Sequence, residues 1–399
     1  MECNELLERL RLAKGLEKFH ESFFSRLIQC QYKFTEEAFN NIDRFAFIDY
    51  YIPSEIFFAM DLIPVMSEHS VNFLASLGLV DKLLLDANNE LNDSGTCSFH
   101  KPIIPAFKGG LFPKPKIFAT TTLCGESSKC FSMTADSIGT NYYSIDLPYS
   151  HDKEAIMYVR NQYVEFAKCL EKITGHKFDI DKLREVIKKS NTMRDYLVKG
   201  NELRKKGKAL LYGSRMLRFG GSFCYHGTDE AIDIAKNYYE VLKERVDKGI
   251  TPVKKEEHRI LWIHLRPFYT NSFFDYMERE LRMVIAYEET NHVFWRRMCE
   301  EDPFLGLATK SMDWLYAGDI NRRISCIKEI IKDYRIDGVI NFAHVNCRLL
   351  NPKQIFIKNE VDKMNIPQLE LSGDCIDRNN FSEKQLLTRI EAFRELLNS

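Results

Sequence analysis

The chain has 399 residues, of which 45% are hydrophobic and 28% are charged, and its formal net charge is −1. This length predicts two or three domains, and the balanced charge argues against nucleic acid or an anionic membrane surface as a partner. We expect a cytoplasmic protein, because no apolar run approaches the ~20 residues of a membrane span and residues 1–24 lack the apolar stretch of a secretory signal.

The pattern of apolar residues divides the chain into four segments. Residues 1–48 are predicted to form an amino-terminal helical cap, since apolar residues recur there at three- and four-residue spacing. Short apolar runs that end in turns predict a first α/β lobe over 49–150. Long charged periodic stretches predict a helical segment over 151–250, with a stop at Gly175 and a restart near Asp179. Residues 251–399 again alternate apolar runs with helical patterns, which predicts a second α/β lobe.

The predicted fold class is therefore α/β. Each of the two lobes should contain a mostly parallel, doubly wound sheet of the flavodoxin-like kind. The amino-terminal and central helices should form an additional helical layer.

The cysteines are numerous but widely spaced. The sequence has 11 of them, at positions 3, 30, 97, 124, 130, 169, 224, 299, 326, 347 and 375, without any CxxC pair. This spacing argues against a disulfide framework, a zinc ribbon or a thioredoxin-type active site. Any metal site must therefore gather distant cysteines by folding.

Three cysteines follow predicted strands, and ligands of open α/β sheets bind beyond the carboxyl ends of strands. Cys124 follows IFATTTL, Cys347 follows VINFAHVN and Cys375 follows LELSGD, while Cys97 lies in the loop NDSGTCSFH. These thiols could be iron ligands, because iron stabilises the thiolate form. The alternative is ordinary buried thiols, which behave as small hydrophobic groups.

The sequence resembles the 2-hydroxyacyl-CoA dehydratase family, which also contains benzoyl-CoA reductase subunits and double-cubane proteins. The resemblance runs from about residue 45 to the end and rests on an ordered set of segments: FIDYYIPSEIFFAMDLIPV, TCSFH, IFATTTLCGESSK, YSIDLPYS, FAKCLEKITGHKFDIDKLREVI, DGVINFAHVNCR and LELSGDCIDRNNFSEKQLLTRIEAF.

The resemblance implies that Cys97, Cys124 and Cys347 hold a 4Fe-4S cluster with one iron open. It implies reductive radical dehydration of a 2-hydroxyacyl-CoA through a ketyl, a related partner subunit, and an ATP-dependent activator iron-sulfur protein. The partner would be a second kind of subunit in a heterodimer, or an identical one if the protein is of the double-cubane type. A reductase of the benzoyl-CoA or double-cubane type, or a cluster-carrying subunit without catalysis, are the alternatives.

Two departures from the family pattern bear on these alternatives. Many relatives place a cysteine at the end of the strand that here reads AYEETN, so Glu288 to Asn291 depart from that version. Others have a second cysteine soon after the position of Cys347, whereas this chain continues as CRLLNP. The ligands of a second cubane would have to come from Cys130, Cys224 or Cys375.

Three further residues are weaker candidates for the site. Glu55 could be a general acid or base beside the cluster, or an acid that stabilises a helix amino terminus. His344, three residues before Cys347, could hydrogen-bond the cluster or substrate, or be a satisfied buried histidine. Cys375 could take part in the site directly or lie in a braced loop.

Overall fold

The computed structural model describes residues 5–6, 8–9, 21–205, 207–219, 225–253 and 255–399. Cys3, Cys224 and much of the predicted amino-terminal cap lie outside these ranges. The first long helix described, α1, spans Ser22–Asn40 and buries one face that includes Phe23, Phe24 and Leu27. This face agrees with the predicted helical periodicity.

The first sheet has four parallel strands in the order β2-β1-β3-β4. Its strands are β1 Phe45–Ile48, β2 Ile63–Met66, β3 Ile117–Thr121 and β4 Asn141–Ile145. The helices between and after these strands are α2 Glu55–Ala59, α3 Ser67–Ser76, α4 Val80–Leu91, α5 Ile103–Lys108 and α6 Gly125–Ile138. The chain reverses its direction of travel across the sheet between β1 and β3, which makes a topological switch point.

Four helices connect the two sheets. They are α7 Lys153–Thr174, α8 Ile180–Arg204, α9 Gly213–Met216 and α10 Asp229–Lys248. Helix α7 ends at Gly175, whose φ of 75° suits glycine. Helix α8 starts at Asp179, whose side chain accepts hydrogen bonds from the backbone N–H groups of Asp181 and Lys182. The predicted stop and restart are therefore confirmed.

The second sheet repeats the strand order of the first, as β6-β5-β7-β8, and all its pairs are parallel. Its strands are β5 His258–His264, β6 Met283–Glu288, β7 Gly338–His344 and β8 Gln368–Gly373. Its helices are α11 Phe273–Asp275, α12 Pro303–Asp313, α13 Ile320–Asp333, α14 Gln354–Asp362 and α15 Glu383–Asn398. Two parallel sheets with helical layers confirm the predicted fold class.

The inner strands β1, β3, β5 and β7 are largely buried on both faces, as strands of parallel sheets normally are, whereas the edge strands β4 and β8 are partly exposed. One continuous apolar core contains Phe47 of β1 and Trp262 of β5, so it joins the two lobes. Smaller cores cover the other face of each sheet, around Ile48 and Tyr163 in the first lobe and around Ile263 and Ile327 in the second. No helix in the described ranges is long and apolar enough to cross a membrane.

Candidate functional site

Three cysteines from separate segments come together where the lobes join. Cys97 lies between α4 and α5, Cys124 lies between β3 and α6, and Cys347 follows β7. Burial is the main cause that raises the pKa of Cys97, and the charges of Cys347 and Cys124 are the next causes. Burial is also the main cause that raises the pKa of Cys124, and the charge of Cys347 raises it further. The structure thus brings together two thiols from the first lobe and one from the second.

Cys97 is buried, Cys124 and Cys347 are half-buried, and all three thiols carry their protons at neutral pH. Burial raises the pKa of all three. Each of the nine cysteines in the described ranges is a free thiol. A soft metal displaces such protons when it binds, because the thiolate is the ligand form. The donor set therefore fits iron held by cysteine sulfur.

The same thiols do not form a site for a single ion. Among the described residues, no group of three or more histidine, cysteine, aspartate or glutamate side chains could hold one metal ion. In an iron-sulfur cubane each cysteine binds a different iron, so the ligands need not converge on one point. Three separated thiols can therefore serve a polynuclear group.

A buried histidine contacts the sulfur of Cys97. The Nε2 atom of His344 lies 3.4 Å from Cys97 Sγ, and its Nδ1 atom accepts a 3.1 Å hydrogen bond from the backbone N–H of Cys375. Burial lowers the pKa of His344, so the ring is neutral. A neutral ring that accepts at Nδ1 carries its hydrogen on Nε2.

A second histidine lies beside Cys124. The Nε2 atom of His100 is 3.7 Å from Cys124 Sγ and 4.0 Å from a carboxyl oxygen of Glu68. Burial lowers the pKa of His100 to about 3, so this ring is also neutral. Its Nδ1 atom is buried and has no hydrogen-bond partner among the described residues.

Direct contacts fix the first-lobe loop against the second lobe. Ser98 Oγ donates a 2.6 Å hydrogen bond to Asp374 Oδ1, and the ring of Phe99 packs edge-on against His344 with centroids 5.2 Å apart. On the other side, Arg348 forms a 3.4 Å ion pair with Glu126. These contacts set the position of Cys97 and Cys124 relative to Cys347.

Two carboxyl groups that the sequence reasoning missed lie at the same edge. Asp49 directly follows β1 and accepts hydrogen bonds from Thr120 Oγ1 at 2.5 Å and from the backbone N–H groups of Tyr51 and Ile52. Burial raises the pKa of Asp49 to about 6. Burial, and then the charge of Asp49, raises the pKa of Glu68 to about 8.

Glu68 is the better placed of these two for contact with a ligand. Its Oε2 atom is buried without a hydrogen-bond partner among the described residues, and its charge acts on Cys124. Glu68 stands in the first turn of α3, directly after β2. The strand-end rule applied to β2 would have found it.

Aromatic rings enclose the side of the site next to Cys347. Trp314 packs against Tyr50, Tyr51 and Phe294, with centroids 5.0, 5.3 and 4.3 Å away, and stacks near Tyr316. Burial is the main cause that raises the pKa of Tyr51, and the charges of Cys124 and Cys347 also raise it. The thiols therefore lie beside a largely apolar wall, which strengthens electrostatic interactions there.

The structure places Glu55 in a buried ion pair. Its Oε1 atom accepts hydrogen bonds from Lys310 Nζ at 2.6 Å and from Ser190 Oγ at 2.8 Å. Lys310 Nζ is also 2.6 Å from Nδ1 of His226. None of the contacts found for the three thiols involves Glu55, so its predicted role as an acid or base stays a prediction.

The two acids of AYEETN also form buried ion pairs. Glu288 binds Arg204 through two contacts of 2.7 and 2.9 Å, and Glu289 binds Arg323 through two contacts of 2.6 and 2.8 Å. Both acids at the end of β6 are therefore neutralised by buried arginines.

The other candidate cysteines differ in their distance from the site. Cys375 follows β8 and is fully buried. Burial is the main cause that raises its pKa, and the charges of Asp374 and then Cys347 raise it further. Cys130 is fully buried in α6, where burial raises its pKa to about 12 and Glu126 adds to the effect. Cys224 lies outside the described residues.

An apolar cavity of about 130 Å³ lies between α1 and α3. Phe24, Phe73 and Phe268 are among its lining residues, and none of the three cysteines is. Phe268 also packs on Phe99. Phe99, two residues after Cys97, therefore contacts one residue of the cavity wall.

The chain is similar to known proteins over most of its length. The sequence profile of the family described as 2-hydroxyglutaryl-CoA dehydratase, D-component, matches residues 49–397. The chain is 22% identical to a benzoyl-CoA reductase subunit of Thauera aromatica, over 79% of this chain and 80% of the relative. It is 24% identical to the (R)-phenyllactyl-CoA dehydratase alpha subunit of Clostridium sporogenes, over 70% of each. It is 23% identical to the alpha subunit of (R)-2-hydroxyglutaryl-CoA dehydratase of Acidaminococcus fermentans, over 71% of this chain and 60% of the relative.

Proposed function

Because this chain belongs to the 2-hydroxyglutaryl-CoA dehydratase D-component family, we propose that it is the iron-sulfur subunit of a 2-hydroxyacyl-CoA dehydratase. In this proposal Cys97, Cys124 and Cys347 hold a 4Fe-4S cluster. The observation that carries the proposal is that thiols from both lobes lie close enough for the charge of one thiolate to raise the pKa of the next. The family match supports the enzyme class independently of this geometry.

The proposed reaction removes water from a 2-hydroxyacyl thioester. The C2–O and C3–H bonds break, a C2=C3 double bond forms, and water leaves. When bound, the cluster supplies one-electron chemistry at the thioester, which makes an unactivated 2-hydroxyl able to leave. The electron is supplied by an ATP-dependent activator iron-sulfur protein and is returned in each turnover, so the net reaction is redox-neutral.

The chain itself must move a proton beside the reacting carbon atoms. Glu68 suits this role because it holds a proton at neutral pH and keeps one carboxyl oxygen without a partner. General acid-base catalysis works best when the catalytic pKa lies near the working pH. Glu55 is the alternative, and it would first have to leave its ion pair with Lys310.

The proposed partners follow from the family rather than from this chain alone. The dehydratase relatives are named as alpha subunits, which supports a related partner subunit. A cytoplasmic location is in keeping with the free thiols of the described cysteines. Similarity to a benzoyl-CoA reductase subunit favours reduction of an acyl-CoA as the second candidate function.

Anaerobic purification with iron and sulfide analysis tests the proposal. The wild-type protein should be brown and contain about four irons per chain, and Cys97→Ser, Cys124→Ser and Cys347→Ser should each lose most of the iron. Cys30→Ser is the matched control, since Cys30 is a buried thiol in α1 and should leave the iron content unchanged. A wild-type protein without iron and sulfide would refute the proposal, as would full iron retention in all three site variants.

Two further measurements separate the candidate functions. About eight irons per chain would favour a double-cubane protein over a single cubane. Acyl-CoA thioesters that perturb the cluster spectrum support an enzyme, whereas a silent spectrum favours a cluster-carrying subunit. Product analysis with the activator and partner then distinguishes dehydration from reduction.

A further inference from the structure

The contact between His344 and Cys97 joins the two lobes at a sulfur atom. His344 is the last residue of β7 in the second lobe, whereas Cys97 belongs to a first-lobe loop. Both side chains are almost completely buried, with relative exposures of 1% and 6%. The separation of 3.4 Å between Nε2 and Sγ is within the range for a hydrogen bond to sulfur.

The surrounding backbone decides which of these atoms donates. Nδ1 of His344 lies 3.1 Å from the backbone N–H of Cys375, which can only donate. Nδ1 therefore accepts and carries no hydrogen, so the hydrogen of the imidazole ring lies on Nε2. The Nε2–H group points at the sulfur, so a cysteine thiolate at this position would accept from it.

The ring is held in this orientation by its neighbours. Phe99 packs edge-on against it at 5.2 Å, and Asp374, whose Oδ1 lies 3.8 Å from Nδ1, is itself occupied by Ser98 Oγ at 2.6 Å. Asp374 Oδ1 also accepts from the backbone N–H groups of Ile376 and Asp377. The donor is thus fixed in place before any ligand binds.

Hydrogen bonds to the sulfur ligands tune the potential of an iron-sulfur cluster. An N–H donor withdraws electron density from the sulfur and stabilises the reduced cluster, which has one more negative charge. The effect is strong where water is excluded, because the local dielectric constant is low. His344 stands at such a place.

We propose that His344 donates its Nε2–H to the sulfur of Cys97 and thereby raises the reduction potential of the cluster. This inference rests on the proposed function, because it requires a cluster on Cys97. It makes His344 a positioning and tuning residue rather than a ligand. The carboxyl end of β7 and the turn after it then serve the cluster twice, through His344 as a donor to a ligand of the other lobe and through Cys347 as a ligand.

The test compares midpoint potentials of the anaerobically purified full chain, measured by redox titration with detection of the reduced cluster by electron paramagnetic resonance. His344→Phe keeps a ring but lacks the N–H group, so its potential should become more negative. His344→Gln restores an amide N–H at a similar reach and should return the potential toward the wild-type value. His258→Phe is the matched control, because it makes the same substitution at a histidine that contacts Asn398 at the start of β5 instead of a cysteine sulfur, and its potential should equal that of the wild type.

The outcomes separate this inference from the proposed function. A wild-type protein without iron overturns both. A wild-type cluster whose potential is unchanged in His344→Phe overturns the hydrogen bond alone, and so does a His258→Phe shift as large as that of His344→Phe.

A second measurement needs no variant, which matters if His344→Phe does not fold. The reduced wild-type cluster should show an exchangeable proton by electron-nuclear double resonance, lost after transfer to deuterated water. Absence of that proton from the wild-type spectrum also overturns the inference.

Discussion

Replacement of Arg323 by methionine should destabilise the second lobe by about 3 to 5 kcal/mol. Arg323 has 0% relative exposure, and its guanidinium group makes the two short contacts with Glu289. Methionine has a similar length but leaves Glu289 as a buried carboxylate without its cation. Breaking a buried pair from one side is costly because the remaining charge stays desolvated.

Removal of both charges should recover most of that loss. Arg323→Met combined with Glu289→Leu leaves no buried charge at this position. A residual loss of about 1 to 3 kcal/mol should remain, because the backbone N–H of His264 loses its 3.3 Å contact with Glu289. Arg378→Met is the matched control, since Arg378 pairs with Asp81 at a side-chain exposure of 63%, and it should change stability by less than about 1 kcal/mol.

Urea denaturation of the metal-free proteins gives the free energies of unfolding for this comparison. If the single and double variants are equally unstable, the loss comes from packing and the electrostatic reasoning is wrong.

Three further predictions concern other parts of the molecule. Burial raises the pKa of Glu278 to about 7 from 4.5, so this carboxyl group keeps its proton in the folded protein at pH values where it has lost it in the unfolded chain. The free energy of unfolding of the wild type, relative to that of Glu278→Gln, should therefore fall by roughly 3 kcal/mol as the pH rises from about 4.5 through 7. Urea denaturation at several pH values measures this change. Gly213→Ala should destabilise by about 3 kcal/mol, because a Cβ there would lie 2.1 Å from the carbonyl oxygen of Ile285, whereas Gly125→Ala has open space and should be nearly neutral in the same assay. Glu68→Gln should lower kcat by about 10²-fold or more with unchanged iron content, whereas Glu55→Gln should lower mainly the thermal stability. A loss of kcat in Glu55→Gln but not in Glu68→Gln, measured in a coupled dehydratase assay, would return the acid-base role to Glu55.

The sequence predicted those features that depend on local pattern. Short apolar strands followed by polar turns identified the ends of β3 and β7, and hence Cys124 and Cys347. Cys97 follows no strand, so only the family resemblance selected it. Asp49 and Glu68 were missed because β1 and β2 lie in one long apolar stretch, FAFIDYYIPSEIFFAMDLIPVM, whose internal strand ends are hard to separate.

Other features depend on contacts between distant segments. The hydrogen position on His344 follows from a backbone group 31 residues away, and the ion pair of Glu55 joins it to Lys310, 255 residues away. No periodicity or motif contains that information, because the partners are set by how the lobes pack. The sequence therefore located strand ends, whereas the side-chain partners at those ends are known only from the structure.

The repeated strand order makes the number of ligands the decisive question about function. Cys124 follows the third strand of the first sheet and Cys347 the third strand of the second, so each lobe supplies one thiol from an equivalent position, and Cys97 adds a third from the first lobe. Cys375 is the described cysteine that could complete a fourth position, because it interacts with Cys347 and its N–H group binds His344. Four thiolates would close the cluster and suit electron transfer, whereas three leave an iron open for substrate, by the logic that separates structural from catalytic zinc sites. We expect Cys375→Ser to retain its iron and to show the same perturbation of the cluster spectrum by acyl-CoA as the wild type. Loss of the iron on this single change would instead indicate a fourth cysteine ligand and hence an electron carrier.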